Sequence, residues 1–277
     1  MGGVQLRVAL KLAYLGDRYY GFQVQPDVPT VEGTLFKALK KLGIFNDPKK
    51  AKYSASGRTD RGVHALEQVV AFNTTSSLVT PRIINSELPD DIWVWGTAKV
   101  SKAFDPRRNA ISREYRYILY GKGLEISKMR HASELLVGTH DFANFATKDE
   151  DKSAKRTVKR IEIRVAGPFI IMDIIANSFA QHMARKIVTG LSMVGAGARD
   201  EAWLRSMLEP DKYKEGIEPA PPFGLILRKV NYAGIPFAVD EYAKTRARRE
   251  LQDRRLFHGI VAEVLKDMRD TIGDQVI

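Results

Sequence analysis

Several segments in which every second residue is apolar require a sheet with one buried face. In the first of them, residues 4–12, the apolar side chains of Val4, Leu6, Val8, Leu10 and Leu12 share one side. The same reasoning predicts further strands at 68–73, 92–100, 112–120, 158–165, 169–176 and 225–232. Helical spacing predicts helices near 31–42, 132–137, 178–194 and 200–208. Strands and helices do not alternate regularly, so we predict an α+β fold with a mixed, mostly antiparallel sheet.

The chain has 277 residues, enough for one large domain or two modest ones. Residues 1–104 and 105–233 each contain strands and one or more helices, and we predict that they form two similar subdomains. Residues 234–277 have a helical pattern and are predicted to form a helical C-terminal extension. Two segments rich in charge or proline, 147–157 and 209–222, are predicted as surface loops.

The formal net charge is +11 and lies in the first 239 residues, because residues 240–277 carry eight basic and eight acidic side chains. Such an excess favours a polyanionic partner. Within the extension, residues 244–255 are mostly basic, and apolar positions follow at helical spacing: Phe257, Ile260, Val261, Val264, Met268 and Ile272. This pattern has two interpretations: an apolar stripe packed on the body under a solvated basic face, or an arm that contacts RNA.

The sequence lacks the residues that several kinds of chemistry require. With no cysteine, disulfides, thiolate nucleophiles and cysteine-held metals are excluded, and a reducing compartment is favoured. The five histidines do not form metal-binding pairs, so we expect no metal and no cofactor. The glycines at 195 and 197 follow an apolar helix and are predicted to end it rather than to bind phosphate. Apolar runs stop near seven residues, too short for a membrane span, and we expect a cytoplasmic protein.

One short segment, GRTDRGVHA at residues 57–65, concentrates charged and flexible residues between apolar stretches. Gly57 and Gly62 allow a tight turn or the close approach of a substrate. Arg58 and Arg61 flank Asp60, and their positive charge favours the ionised carboxylate, which can act as a nucleophile. The alternative is a structural turn in which Asp60 caps the backbone and pairs with an arginine.

This segment resembles the catalytic loop of the TruA family of tRNA pseudouridine synthases, GRTDxGVHA, at all eight fixed positions. The similarity extends over most of residues 4–232. The segments YLGDRYYGFQVQ at 14–25, TVEG at 30–33 and NSELP at 85–89 are similar to family motifs. So are REYRY at 113–117, FAQHMAR at 179–185 and APPFGLIL at 220–227. The sequence departs from the family pattern at Leu15, Asp17, Asn177 and Ala184, none of which lies in the loop around Asp60.

The resemblance implies a fold of two ferredoxin-like subdomains of the pseudouridine synthase type. It also implies isomerisation of uridine to pseudouridine in the anticodon arm of tRNA, around positions 38–40, with Asp60 as catalytic nucleophile. Tyr115, Arg58 and Arg185 are the implied substrate-binding residues. The reaction needs no metal or cofactor, and bacterial members of the family are homodimers that bind tRNA and not membranes.

Three questions remain open at this point. For His64 a structural hydrogen bond is favoured over acid–base work. Arg58 and Arg185 are candidates for orienting Asp60 or for binding phosphate, and a structural ion pair is the alternative for both. A non-catalytic RNA-binding module and a base hydrolase that releases uracil are the competing functions.

Overall fold

The computed structural model describes residues 5–147 and 153–274. In this part of the chain the strands are β1 (Leu6–Tyr14), β2 (Ser54–Ala55), β3 (His64–Thr74), β4 (Ile92–Val100), β5 (Ser112–Tyr120), β6 (Gly138–Asp141), β7 (Lys155–Ala166), β8 (Phe169–Ala176), β9 (Leu225–Asn231) and β10 (Ala238–Val239). The helices are α1 (Val31–Lys41), α2 (Pro81–Asn85), α3 (Ile126–Leu135), α4 (Met183–Gly195), α5 (Glu201–Ser206) and α6 (Glu241–Asp274).

The strands form one sheet in the order β10-β4-β1-β3-β9-β5-β8-β7-β6, with β2 paired to β3 outside this path. All neighbouring pairs are antiparallel except β3 and β9, which run in parallel. The predicted α+β class with a mixed, mostly antiparallel sheet is confirmed. The parallel pair joins the strands of the first hundred residues to those that follow, and it pairs His64 with Ile226 at the end of the GRTDRGVHA loop.

In the described part of the chain, two large hydrophobic cores lie on this sheet. The N-terminal core is built around α1 and strands β1 and β3, with Leu10, Leu35 and Phe72 fully buried. The C-terminal core is built around α4 and strand β8, with Met172 and Ile187 fully buried. Strand β9 contributes to both, so the two cores meet where β3 and β9 pair. The division at residues 104 and 233 remains a prediction.

Helix boundaries differ from the predictions in three places. The helix predicted at 132–137 is α3 and begins six residues earlier, at Ile126. The helix predicted from 178 begins only at Met183, because His182 adopts a left-handed conformation with φ of 62° that interrupts a helix. The short α2, capped by the Thr80 side chain with Pro81 in its first turn, was not predicted.

Helix termination after residue 195 is confirmed, since α4 ends at Gly195 and Gly197 has a φ of 70°. The loop predicted at 209–222 is confirmed as irregular up to a short 3-10 turn at Pro222–Gly224. The loop predicted at 147–157 lies partly outside the described residues, and its last residues, from Lys155, belong to β7.

The helix predicted within residues 234–277 is confirmed as α6, whose first turns pack on the sheet, but residues 238–239 form β10 and pair with β4. Ala243 and Ala247 are buried, and Leu251 packs in the same cluster against Trp93. The Trp93 indole donates to the Glu250 carboxylate at 2.9 Å. The interpretation that the apolar stripe packs on the body is wrong, because its side chains from Phe257 to Ile272 are exposed. No helix among the described residues is long and apolar enough to cross a membrane.

Candidate active site

The loop between β2 and β3 is held by buried polar side chains. Ser56 is 1% exposed and donates its hydroxyl to the Gln68 side chain, whose amide nitrogen donates to the Gly57 carbonyl at 2.9 Å. Thr59 shares a hydrogen bond of 2.8 Å with the Tyr14 hydroxyl. Because buried polar groups are costly unless paired, each of these bonds specifies one conformation of the loop.

The segment 14–22 crosses the loop at very short range. A Cβ atom on Gly16 would lie 2.2 Å from the Val63 carbonyl oxygen, so only glycine fits there. The Phe22 amide donates to the Thr59 carbonyl at 3.0 Å. Gly62 has a φ of 78°, which agrees with the turn predicted at that residue. The loop is therefore fixed on both sides of Asp60.

His64 has a structural role at the end of the loop. Its Nδ1 accepts from the Gly16 amide at 3.1 Å, and its Nε2 lies 3.1 Å from the Phe223 carbonyl oxygen. An Nδ1 that accepts leaves the proton on Nε2, which donates to that carbonyl. Both ring nitrogens therefore bond backbone groups, which agrees with the structural role favoured for His64 over acid–base catalysis.

The opposite wall of the site consists of the segment between β8 and α4. The Arg113 guanidinium ties this wall to the loop, since it donates to the carbonyl oxygens of Ser56 and Asn177, both at 2.9 Å. Burial lowers the pKa of Arg113 below its usual range. The segment ends at His182, whose left-handed backbone turns the chain into α4.

The Asp60 carboxylate lies between the two walls. Its Oδ2 accepts from Arg185 Nη1 at 3.2 Å, and the same Arg185 donates Nε to the Ala220 carbonyl at 2.6 Å. His182 Nε2 lies 3.6 Å from the same carboxylate oxygen, and its Nδ1 is 2.6 Å from the Thr147 hydroxyl. The Asp60 side chain remains 27% exposed. Among the described residues none bonds Oδ1, which leaves one carboxylate oxygen for a substrate.

Tyr115 adds an aromatic surface beside the carboxylate. Its ring contacts Phe179 edge to face, with 4.9 Å between the ring centres and 81° between the planes. Burial, and next the negative charge of Asp60, raise the pKa of Tyr115 far above its usual range. The phenol therefore keeps its proton at neutral pH.

A cleft of about 1460 Å³ opens over these residues. Among the described residues its lining contains seven arginines and no lysine: Arg58, Arg61, Arg107, Arg108, Arg113, Arg156 and Arg185. Four acidic side chains also line it, including Asp60. Arginine binds phosphate in a bidentate manner and stacks on flat rings, so this surface is suited to a nucleic acid strand.

The structure brings together three of the four predicted site residues: Asp60, Tyr115 and Arg185. Arg58 is exposed on the cleft and is not among the described residues that contact Asp60. Arg61 stacks over the Tyr20 ring at 4.1 Å. Of the two arginines considered for orienting Asp60, Arg185 makes the ion pair, and neither Arg58 nor Arg61 is among the described residues that pair with the carboxylate.

Sequence reasoning missed His182 and Thr147. His182 lies inside the FAQHMAR segment that resembles a family motif, but histidine is not one of the fixed residues of that motif and has no partner nearby in sequence. Among the described residues, no group of three His, Asp or Glu side chains could hold a metal ion.

Three known proteins that this chain resembles have the same description. A sequence profile described as tRNA pseudouridine synthase matches residues 132–233. The tRNA pseudouridine synthase A of Methanosarcina barkeri is 54% identical over 265 residues, which cover 95% of this chain and 98% of the relative. That of Methanococcoides burtonii is 53% identical, with 95% and 96% covered. That of Methanocella arvoryzae is 47% identical, with 96% and 100% covered. The similarity thus extends well beyond the residues matched by the profile.

Proposed function

The chain belongs to the tRNA pseudouridine synthase family, and we propose that it modifies the anticodon arm, around positions 38–40, with Asp60 as the catalytic nucleophile. It is an isomerase that acts on tRNA. The observation that carries the proposal is the Asp60 carboxylate, ion-paired with Arg185 in a cleft lined by arginines. We also propose that the protein acts in the cytoplasm as a homodimer, as the family resemblance implies.

The reaction rearranges one nucleotide without adding or removing a group. The bond from N1 of uracil to C1′ of ribose breaks, the base turns in the pocket, and a bond from C5 to C1′ forms. The proton on C5 is lost, and N1 gains one. A carboxylate can serve by attacking C1′, by adding to C6, or by assisting a route through a glycal, and all three place it next to the reacting nucleotide.

Geometry supports Asp60 in this position. Arg185 holds Oδ2, and the other oxygen is free of bonds from the described residues, so an attacking oxygen is available without breaking the ion pair. The ionised carboxylate is the nucleophilic form, and the bond from Arg185 to Oδ2 fixes its orientation in the cleft. The partial burial of the pair keeps this interaction stronger than it would be in open water.

The substrate uridine has to leave its stack to reach Asp60, at a cost of a few kcal/mol. Tyr115 provides an aromatic surface for the displaced base, supported from the side by Phe179. The exposed guanidinium of Arg58 lies on the cleft where it can bind the flanking phosphates. These contacts offset the cost of unstacking.

The test is to map pseudouridine in an unmodified tRNA transcript before and after incubation with the protein alone. We expect new pseudouridine around positions 38–40 and release of tritium from 5-tritiated uridine. Transcripts with cytidine at one of these positions should lose only the corresponding signal. Modification confined to another arm would contradict the proposed target. Binding without tritium release would indicate an RNA-binding module, and free uracil would indicate a base hydrolase.

A further inference from the structure

Arg61 and Tyr20 form a stacked pair beside the catalytic carboxylate. The Arg61 Cζ atom lies 4.1 Å from the centre of the Tyr20 ring, within the range of a cation–π contact. Both side chains are exposed, Tyr20 by 41%, and both line the cleft that contains Asp60. Residue 61 is the open position of the GRTDxGVHA pattern, so the family resemblance assigns no role to this pair.

The backbone beneath the pair is fixed in one register. The Tyr20 carbonyl accepts from the Gln25 side-chain amide at 2.6 Å. The next residue, Gly21, has a φ of 101°, and a Cβ atom there would lie 3.0 Å from the Thr59 carbonyl oxygen and 3.4 Å from the Arg61 backbone nitrogen. This close contact between the two segments places the Tyr20 ring and the Arg61 side chain next to each other.

The Arg61 charge differs from the other charges that lie over rings. In the described part of the chain, three further cations contact aromatic rings: Lys11, Arg82 and Arg199. Each of these pairs with a carboxylate, at 2.9 Å, 3.6 Å and 2.9 Å respectively. Among the same residues Arg61 contacts the Tyr20 ring and forms no ion pair or side-chain hydrogen bond. Its guanidinium therefore keeps its charge and its donors for a ligand in the cleft.

A flat cation supported by an aromatic ring is suited to a nucleobase. Arginine stacks on rings through the face of its guanidinium, whereas a bidentate bond to phosphate uses the edge. When the target uridine leaves its stack, the adjacent base loses a partner on one side, and this loss is part of the cost of extrusion. A flat cationic surface at Arg61 can replace that partner, because consecutive α-carbons are only ~3.8 Å apart and the uridine lies at Asp60.

We propose that the Arg61 guanidinium, supported by the Tyr20 ring, stacks on the base adjacent to the target uridine. The inference rests on the proposed function, since the uridine bound at Asp60 is what brings its neighbour to this place. It gives the pair a role in substrate recognition that is distinct from phosphate binding, which belongs to Arg58. The ligand class is an unstacked base in an RNA strand.

The test is a cycle in which a protein side chain and a substrate base are removed in turn. Tyr20→Leu removes the supporting ring, and tRNAs assembled by ligation carry an abasic residue on the 5′ or the 3′ side of uridine 39. Filter binding gives Kd for each combination. We expect the wild type to bind one of the two abasic tRNAs about 10-fold more weakly, and Tyr20→Leu to bind the intact tRNA about 10-fold more weakly. The variant should lose nothing further on that abasic tRNA, because both changes remove the same stack.

Arg61→Lys separates stacking from charge. Lysine keeps the positive charge but has no flat face, so we expect a loss similar to that of Tyr20→Leu with an unchanged slope of log Kd against log salt. Tyr20→Phe keeps the ring and should bind as the wild type does. The matched control is the stack of Arg82 over Tyr242, outside the cleft lining, where Arg82→Lys and Tyr242→Leu should leave the affinity for every tRNA unchanged. All four side chains are exposed, so the variants should melt as the wild type does.

Wild-type affinity of Arg61→Lys, with a weaker salt dependence for Arg61→Gln, would identify Arg61 as a phosphate contact and overturn the proposed stack. A loss in Tyr20→Leu that persists undiminished on both abasic tRNAs would overturn it as well and assign the effect to the shape of the loop. Pseudouridine formation by the wild type on the intact tRNA is measured in parallel. Its absence would contradict the proposed function, whereas its presence without coupling in the binding cycle would overturn only the role of Arg61 and Tyr20.

Discussion

The N-terminal and C-terminal cores hold the two walls of the active site by different means. Around the Asp60 loop, the N-terminal core uses buried polar pairs: Tyr14 with Thr59, and Ser56 with Gln68. On the other wall, α4 is held by apolar packing, with Met183, Ile187 and Leu191 fully buried in the C-terminal core. One wall is specified by hydrogen bonds and the other by the fit of a helix against a sheet.

This difference shows that Asp60 and Arg185 are positioned by two different kinds of interaction. Hydrogen bonds are directional, so the polar pairs fix the loop that carries Asp60 within narrow limits. Packing fixes the axis of α4 and thereby the position of the Arg185 backbone. From there the Arg185 side chain extends to the Asp60 carboxylate. The ion pair exists only where the two walls meet, beside the parallel contact of β3 and β9.

Replacement of Asp60 by asparagine should have the largest effect. The amide is nearly isosteric with the carboxylate but carries no negative charge and is not a competent nucleophile. We expect Asp60→Asn to reduce pseudouridine formation at least ~1000-fold, or about 4 kcal/mol of barrier, while tRNA affinity stays equal or becomes slightly tighter. Single-turnover assays and filter binding measure the two quantities.

The control is Asp17→Asn, because the Asp17 carboxylate is exposed and lies outside the cleft lining. It should leave turnover unchanged. If Asp60 were only a structural cap, Asp60→Asn would lower the free energy of unfolding by ~0.5–2 kcal/mol and leave turnover within tenfold of wild type. That result would remove Asp60 from the reaction.

Sequence alone identifies the N-terminal wall better than the C-terminal one. The Asp60 loop is contiguous, so its glycines and charges are visible in nine residues, and the strand alternation on either side predicts where it lies. Local sequence points to Arg58 and Arg61 as the charges beside Asp60, whereas Arg185 becomes a candidate only through the family resemblance, because the packing of α4 is what brings it there. The late start of α4 was missed since the left-handed backbone at His182 has no local sequence signal.

Alkaline conditions should weaken the N-terminal core first. Burial raises the pKa of Tyr14 and Tyr19 far above the usual value of 10.0. Burial is also the main cause that raises the pKa of Tyr53, Tyr115 and Tyr232. The folded protein therefore keeps protons on at least five phenols that the unfolded chain releases near pH 10, and stability is lost as the pH rises above that value. At about 1.4 kcal/mol for each phenol by pH 11, Tyr14 and Tyr19 alone lower the free energy of unfolding by about 3 kcal/mol, and the other three add to this loss.

Urea denaturation between pH 8 and pH 11 measures this loss, and hydrogen exchange locates it. Amides of β1 should exchange before those of β8 as the pH rises. Tyr14→Phe should flatten the pH dependence, whereas Tyr120→Phe, at an exposed tyrosine, should not change it. Simultaneous opening of both cores would show that they unfold as one unit and that the contrast between them does not extend to stability.

Loss of the Arg185 charge should affect catalysis more than substrate binding. Arg185→Gln removes the bond to Asp60 and the donor to the Ala220 carbonyl, and bonds to charged groups contribute about 1.5–3 kcal/mol. We expect kcat to fall about 10–100-fold with little change in KM. Arg58→Gln, at the exposed arginine of the same cleft, should instead raise KM for tRNA and leave kcat nearly constant. If Arg58→Gln lowered kcat and Arg185→Gln raised KM instead, Arg58 would be the residue that positions Asp60 and Arg185 the residue that binds tRNA.

The smallest effect is expected at His182, which touches both walls through its side chain. Its Nε2 lies 3.6 Å from Asp60 Oδ2, too far for a strong hydrogen bond, and its Nδ1 is held by Thr147. We expect His182→Asn to lower kcat about threefold to tenfold, or about 1 kcal/mol, with KM unchanged. Asparagine is chosen because it tolerates the left-handed backbone at this position, so the loss reports the side chain rather than strain.

Thr147→Val separates positioning from a general structural role of His182. If Thr147 acts by orienting the imidazole towards Asp60, removal of its hydroxyl should reduce kcat in the wild type and have no further effect in His182→Asn. The free energies of unfolding of all three variants should agree within ~1 kcal/mol, since both side chains are partly exposed. Additive losses in kcat would mean that the two residues act independently. Asp60 would then be held by Arg185 alone, and the C-terminal wall would contribute a single charged group to the reaction.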